Sequence, residues 1–373
     1  MLKGGFLAAL GLLFLGVASP RTAENVVRPV TPEASAGAVE LLRFFHRISG
    51  KQILSGQHNF PAHADRHTIA SAKAWGKVPA VFGKDWGFAS EGSQDSAYVR
   101  DQIVDELVQQ YRNGAMVTMC WHEVPPTADE PVTFRRRRGE TLGAVTNLNT
   151  VQGQLSEAQY MDLLTPGTAL HQRWCAQVDA LVPHFKKLEQ ARVPLLWRPF
   201  HELNGTWFWW GGRRGEFGTA ALYKLMFDRL VKHHQIKNLL WIWSVDRPEG
   251  TSLKFEECWP GSEYVDILSL DCYREFKPSY YDDLLKLANG KPIALAEVGG
   301  PPPPALLEAQ PKWTWWMAWA GMGGQGGDAA SRGAELVAKP YSWSLSDPAY
   351  RQAIAPIRLA SGLPAEVPQP PAP

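Results

Sequence analysis

The strongest constraint on this chain is a series of eight short, apolar, β-rich runs separated by helix-like stretches. They are QILSGQH from Gln52, VPAVFGKDW from Val78, AMVTMCWH from Ala115 and PLLWRPFHE from Pro194, then LLWIWSV from Leu239, VDILSLDCY from Val265, PIALAEVG from Pro292 and TWWMAWAG from Thr314. Most are apolar almost throughout, as strands covered on both faces of a parallel sheet must be. Helical patterns fall between them at Asp101–Arg112, Ala169–Ala191, Ala220–His233, Tyr280–Leu287 and Ala305–Ala309, with a last one at Ala349–Leu359. Eight strands alternating with helices predict an α/β chain closed as a (β/α)8 TIM barrel, which takes about 250 residues before insertions. In a chain of 373 residues, much of the excess fits the third connection, between His122 and Pro194. A doubly wound sheet is the competing architecture, with a less regular strand series.

The ends of these runs are unusually polar: Gln57-His58, Asp85-Trp86, His122, His201-Glu202, Asp246, Asp271 with Tyr273, Glu297, and Trp319. A barrel gathers the carboxyl ends of its strands at one mouth, where active sites sit. Lys plus Arg total 38 against 37 Asp plus Glu, a net charge of +1. That balance excludes a protein that holds nucleic acid or an anionic membrane by bulk charge. The sixteen tryptophans are the compositional oddity. A buried indole needs a partner for its N–H, so many are expected at a cleft, where they suit the apolar faces of sugar rings, with core packing able to take half or more.

Glu202 and Glu297 lie on strands four and seven of the series and so face one another across the mouth. Two carboxyls so placed suit glycoside hydrolysis, one protonating the leaving oxygen and the other attacking the anomeric carbon, with a separation of about 5–5.5 Å for retention. The acid needs a raised pKa, which desolvation by tryptophan walls supplies. The alternative for either residue is a structural glutamate that caps a helix or pairs with arginine.

WRPFHELNGTWFWWGG, from Trp197 to Gly212, closely resembles the strand-four segment of glycoside hydrolase family 26, best known for retaining β-mannanases on a (β/α)8 barrel. ALAEVGG at Ala294–Gly300 resembles its nucleophile strand, CWHEVPP at Cys120–Pro126 its third, LSLDCY at Leu268–Tyr273 its sixth and LSGQHN at Leu54–Asn59 its first. The resemblance implies Glu202 as general acid/base and Glu297 as nucleophile. It places His201 against the nucleophile or sugar, and His122, Trp207, Asp271, Tyr273 and Trp319 around the sugar at the cleavage point. Tyr273 is expected to bond the nucleophile, Trp319 to form a stacking floor and Trp207 a wall. Strand alternation lets Asp271 and Tyr273 face inward with Cys272 outward, and puts Arg198, Phe200 and Glu202 on one side, with Arg198 below the acid/base or purely structural. Trp209 and Trp210 serve further sugars or pack the loop. Two departures bear on subsites: Glu-Val-Pro-Pro follows His122 where many members carry Asn-Pro, and Ala320 follows Trp319 where some present a polar side chain.

The resemblance implies an endo-β-1,4-mannanase acting on β-mannan, with β-1,3-xylan, mixed-linkage β-glucan or a non-catalytic carbohydrate-binding barrel as alternatives. Residues 1–18 read as a signal peptide, Lys3 preceding an apolar run from Phe6 to Val17 too short to span a bilayer, and an uncleaved anchor is the rival. Residues 19–362 are then one catalytic domain and residues 363–373 a Pro-rich extended tail, in a secreted or periplasmic enzyme. A monomer is expected, with no nucleic-acid partner and no membrane contact after signal cleavage. Cys120, Cys175, Cys258 and Cys272 fit neither a disulfide framework nor a CxxC metal site, and read as buried thiols with at most one bridge. The Arg135–Arg138 run is expected to be a solvated loop face. No Walker loop, GxSxG elbow or HExxH helix appears, so neither cofactor nor metal is expected.

Overall fold

The computed structural model describes residues 1–2, 27–87, 96–130, 132, 150–324 and 327–370. The expected leader beyond its first two residues, and the Arg135–Arg138 run, lie outside the described residues.

Eight parallel strands close into a barrel: β1 (Ile53–Asn59), β2 (Val81–Asp85), β3 (Met116–Trp121), β4 (Leu195–Pro199), β5 (Leu239–Asp246), β6 (Ile267–Cys272), β7 (Ile293–Val298) and β8 (Trp313–Ala318). Each pairs with the next, and β1 pairs with both β2 and β8, so the ring has no edge. A two-residue strand, β9 (Ser342–Trp343), pairs alongside the start of β1. All residues of β1 to β8 are buried, which is why the runs are apolar throughout rather than alternating.

The outer layer holds α1 (Ala36–Ile48), α2 (Arg66–Trp75), α3 (Arg100–Arg112), α4 (Glu157–Leu164), α5 (Ala169–Asp179) and α6 (Val182–Gln190), then α7 (Thr219–Phe227), α8 (Pro278–Ala288), α9 (Pro304–Ala309), α10 (Gly327–Val337), α11 (Pro348–Ala353) and α12 (Ala355–Ala360). The helix expected over Ala169–Ala191 is two, because Pro183 sits in the first turn of α6, where its missing N–H costs nothing, and is not accommodated mid-helix. Pro356 divides the last helix into α11 and α12 for the same reason. The pattern over Ala220–His233 is α7 followed by a π-helical turn, Asp228–His233.

Register carries the strand ends to one level. Asp85 pairs with Cys120, Cys120 with Arg198, Asp246 with Asp271, and Asp271 with Glu297. The last pairing follows a bulge: Leu270 opposes Leu295, but Asp271 opposes Glu297, so Ala296 is passed over. Strict alternation from Ala294 would turn Ala296 inward and Glu297 toward the helices. The extra residue re-aims Glu297 beside Asp271.

Most of the sixteen tryptophans are fully buried core, leaving Trp207, Trp259, Trp319 and Trp343 half-buried. Core packing therefore accounts for more of them than a cleft does. All four cysteines are free, and Cys175 is half-buried rather than buried. Past α12, Leu363 and Val367 pack against the core, and Arg358 Nε donates to the Pro364 carbonyl at 2.8 Å.

Candidate active site

The nucleophile side is built on strands, with the β7 bulge turning Glu297 inward. Arg198 on β4 lies in an otherwise apolar run and is buried, so its charge requires anionic partners. It finds two: Nη1 donates to Asp271 Oδ2 at 2.7 Å and Nη2 to Glu297 Oε1. Ser244 on β5 also bonds both Asp271 oxygens at 3.1 Å. The second oxygen of Glu297 accepts from the Tyr273 hydroxyl at 2.7 Å. Burial, then the Glu297 charge, push Asp271 up against the pull of Arg198 and Ser244, while the two carboxylates hold Arg198 firmly protonated.

The acid side hangs from a turn. Strand β4 ends at Pro199, and Phe200 and Glu202 take φ of 50° and 51°, left-handed values uncommon for residues with side chains. Alternation therefore stops, which corrects the expected grouping of Arg198 with Phe200 and Glu202. Arg198 faces Glu297 and Asp271, and Phe200 packs against Trp209 and Trp210. Asn204 ties this turn to the end of β5, its amide donating to the Asp246 carbonyl at 2.8 Å and accepting from the Asp246 N–H at 2.7 Å. Gly205 is required by close approach: a Cβ there would meet the Trp207 ring at 2.3 Å. With that room, Trp207 folds back and its indole N–H donates to Glu202 Oε2 at 2.6 Å.

Burial, then the charges of Asp271, Glu297 and Asp246, raise Glu202 well above the ordinary carboxylate range, against the Trp207 hydrogen bond. A Glu202 oxygen lies within 4.8 Å of both a Glu297 and an Asp271 oxygen. Inverting glycosidases hold their carboxyls about 6.5–9.5 Å apart to admit a water, so this spacing is of the retaining kind.

On the third wall His122 is fixed by Asp85, whose carboxylate bonds Nδ1 and accepts from Gly87 N at 2.6 Å. Burial opposes ionisation of Asp85, but His122 outweighs it and holds the group below its ordinary range. His201 Nε2 meets His122 Nε2 at 3.1 Å, so its partner is this imidazole rather than Glu297. Burial, then the charges of His122, Arg198 and His58, lower His201 far below its usual value and keep it neutral. Trp319 stacks on His58 with centroids 4.0 Å apart.

Of the residues expected from sequence, Glu202, Glu297, Trp207 and Tyr273 meet at one point, and His122, His201 and Trp319 adjoin it. Tyr273 is 37% exposed, while Asp271 has no exposed surface and reaches the cleft only through Arg198 and Glu297. Trp209 and Trp210 are buried and pack the loop, donating to the Glu123 and His201 carbonyls. Asp85 and Ser244, which orient His122 and Asp271, were not singled out as site residues. A lone arginine in the apolar run LLWRP was the signal for an inward charge network.

A buried carboxylate pinned by arginine and tyrosine, facing a desolvated carboxylic acid across a barrel mouth, defines the two-carboxylate class of glycoside hydrolase. Glycosyl hydrolase family 26 matches residues 30–346, and the chain belongs to that family. It is 32% identical over 306 residues to a mannan endo-1,4-beta-mannosidase of Thermothelomyces thermophilus, covering 80% of this chain and 58% of that protein. A mannan endo-1,4-beta-mannosidase of Bacillus subtilis is 28% identical, with 77% and 78% covered. Among solved structures, GH26A from Muricauda sp. MAR_2010_75 superposes with a TM-score of 0.77 at 38% identity, covering 84% of this chain and 98% of that one. The chain thus spans little more than half the length of the fungal relative and most of the others.

Proposed function

We propose that the protein is a retaining endo-β-1,4-mannanase. The observation that carries the chemistry is the Glu202–Glu297 spacing within 4.8 Å, with Glu202 held neutral and Glu297 held by Arg198 and Tyr273. Glu297 attacks the anomeric carbon of a mannosyl unit while Glu202 gives its proton to the departing oxygen. Glu202, now ionised, takes a proton from water, which hydrolyses the glycosyl-enzyme with net retention. Trp319 carries the apolar face of the sugar, Trp207 walls the leaving-group side, and His122 and His201, bonded to one another, line the cleft beside it. Mannan as substrate is supported by the names of the relatives rather than by a residue that reads an axial 2-hydroxyl.

The proposal extends to export, supported by residues 1–18, and to a monomer. Among the described residues no helix is long and apolar enough to cross a membrane.

Proton NMR of the purified chain acting on linear β-1,4-mannan tests the reading. New reducing ends appearing first as β-anomers, on short oligosaccharides rather than mannose, are expected. Early α-anomers overturn retention, and no new ends on mannan but turnover of β-1,3-xylan or mixed-linkage glucan overturns the substrate. Binding without turnover of any of them overturns the enzyme. Glu202→Ala probes the acid: the first step on substrates with activated leaving groups should survive, because these need little protonation. Equal loss on activated and natural substrates contradicts that role.

A further inference from the structure

Beside the two carboxyls the barrel gathers three buried donors, none of which acts as acid, base or nucleophile in the proposed hydrolysis. Cys120 and His122, two apart at the end of β3, share a face, and the left-handed turn after β4 brings His201 against them. All three are buried, and the Cys120 sulfur and one ring nitrogen from each histidine lie within 4.8 Å of one another.

We infer that Cys120, His122 and His201 form a zinc-binding site through which the ion inhibits the enzyme, occupying the space under the sugar at the cleavage point. The chemistry of the set selects the ion: one thiolate and two imidazoles suit zinc rather than calcium or magnesium. The two facing Nε2 atoms are 3.1 Å apart. Two nitrogens bound tetrahedrally to one zinc at about 2.0–2.1 Å lie roughly 3.3 Å apart, and the rings, now edge to face with centroids 4.3 Å apart, reach that arrangement when one imidazole turns its Nε2 toward the ion. Asp85 already holds His122 Nδ1, the carboxylate–histidine support that leaves Nε2 to the metal, and Gly87 N at 2.6 Å steadies that carboxylate. The sulfur is in no disulfide, and its contacts are weak, 3.7 Å to His58 Nε2 and 3.8 Å to the Lys84 carbonyl.

On binding, the thiol proton leaves to solvent as the zinc–sulfur bond forms. The proton shared between the two Nε2 atoms moves to His201 Nδ1, which is buried without a partner. That uncompensated N–H limits the affinity and keeps zinc exchangeable. Binding stands apart from the proposed reaction, and only the inhibition rests on it.

The test uses the whole chain, freed of metal by chelator and titrated with cobalt(II) and then zinc. A second thiol–imidazole pair exists, Cys175 with His171 Nε2 at 3.4 Å, so Cys175→Ser is the control. A thiolate-to-cobalt charge-transfer band is expected in the parent and in Cys175→Ser, and is lost in Cys120→Ala. Cys120→Ser, which keeps the side-chain shape, serves the same purpose should the alanine variant not fold. Calorimetry should show zinc affinity falling by roughly tenfold or more without the thiol. Zinc inhibition of mannan hydrolysis should shift by the same factor. A parent without the band, or a band that survives in Cys120→Ala, overturns the site. A band that survives His201→Ala moves the ion to the overlapping set of His58, Asp85 and Cys120 and overturns this assignment. Bands as expected in a protein inactive on every glycan would defeat the proposed function and leave the metal site standing.

Discussion

The two carboxyls of the cleft are held in opposite ways. Glu297 follows a bulge near the end of β7, and its oxygens meet a guanidinium and a phenol supplied by β4 and the residue after β6. Glu202 sits on a left-handed turn, meets an indole, and is surrounded by other acids. The contrast shows how one cleft makes a base and an acid from the same side chain. A guanidinium and a phenol hold the group that must attack. Withdrawal from water among like charges keeps the other protonated, which a cation at its side would undo.

Breaking the charged side should have the largest effect. Glu297→Ala is expected to lower turnover on mannan by about four orders of magnitude, about 5.4 kcal/mol of barrier. Azide should restore part of it as an α-glycosyl azide, because the anion enters opposite the leaving group. With Glu202→Ala and an activated substrate, azide should instead give the β-azide by way of the glycosyl-enzyme. The anomer of the trapped product, read by NMR, tells which side was broken, and one anomer from both variants would erase the distinction.

Arg198→Met comes next and tests whether the guanidinium is also structural. It leaves two buried carboxylates without a cation, expected to cost about 3–5 kcal/mol in urea unfolding. Removing the exposed partner Lys187 from Asp101 should leave the unfolding midpoint almost unchanged. Arg198→Met with Asp271→Asn should recover part of the loss, since one of the stranded charges is gone. Equal costs at the two sites would show that the buried network is not what holds this side.

The barrel was legible because burial on both faces leaves eight apolar runs that nothing else in the chain resembles, and each proline that divided a helix was visible. Helices α1, α2, α4 and α10 were not anticipated: α2 and α4 are short with few buried apolar residues, whereas α1 does carry an apolar stripe through Leu41, Leu42, Phe44, Phe45 and Ile48. The glutamates were legible as polar ends of apolar strands. The routes that deliver them were not. A bulge at Ala296 turns Glu297 inward, and two left-handed residues after Pro199 interrupt alternation before Glu202. Both are set by pairing and loop closure between distant segments, which a local period of two does not contain. The same break misplaced Arg198, whose partners come from β6 and β7 rather than from its own strand.

The hydroxyl of Tyr273 sharpens the contrast at lower cost. Tyr273→Phe removes a neutral donor from Glu297 while Arg198 stays, so kcat should fall by about ten- to a hundredfold, the value of a hydrogen bond to a charged group of about 1.5–3 kcal/mol. Thermal stability should change little, since the phenol ring is partly exposed. A rise in KM alone would instead place the hydroxyl on the substrate.

The smallest effect is the most diagnostic, because it reads a pKa rather than a rate. The Trp207 N–H donates to Glu202, which favours the ionised form and pulls against the burial that raises this group. Glu202 must be protonated for the first step, so activity falls as pH rises through its pKa. Trp207→Phe keeps an aromatic wall but removes the donor, so Glu202 should rise further and the basic limb of kcat/KM move to higher pH by roughly one unit, the equivalent of about 1.4 kcal/mol. The acidic limb should stay in place because Trp207 makes no bond to Glu297. A basic limb that stays put, with KM alone raised, would make Trp207 a wall and nothing more. A shift of both limbs together would mean that the two carboxyls titrate as one unit, and the division between a charged side and a neutral side would fail.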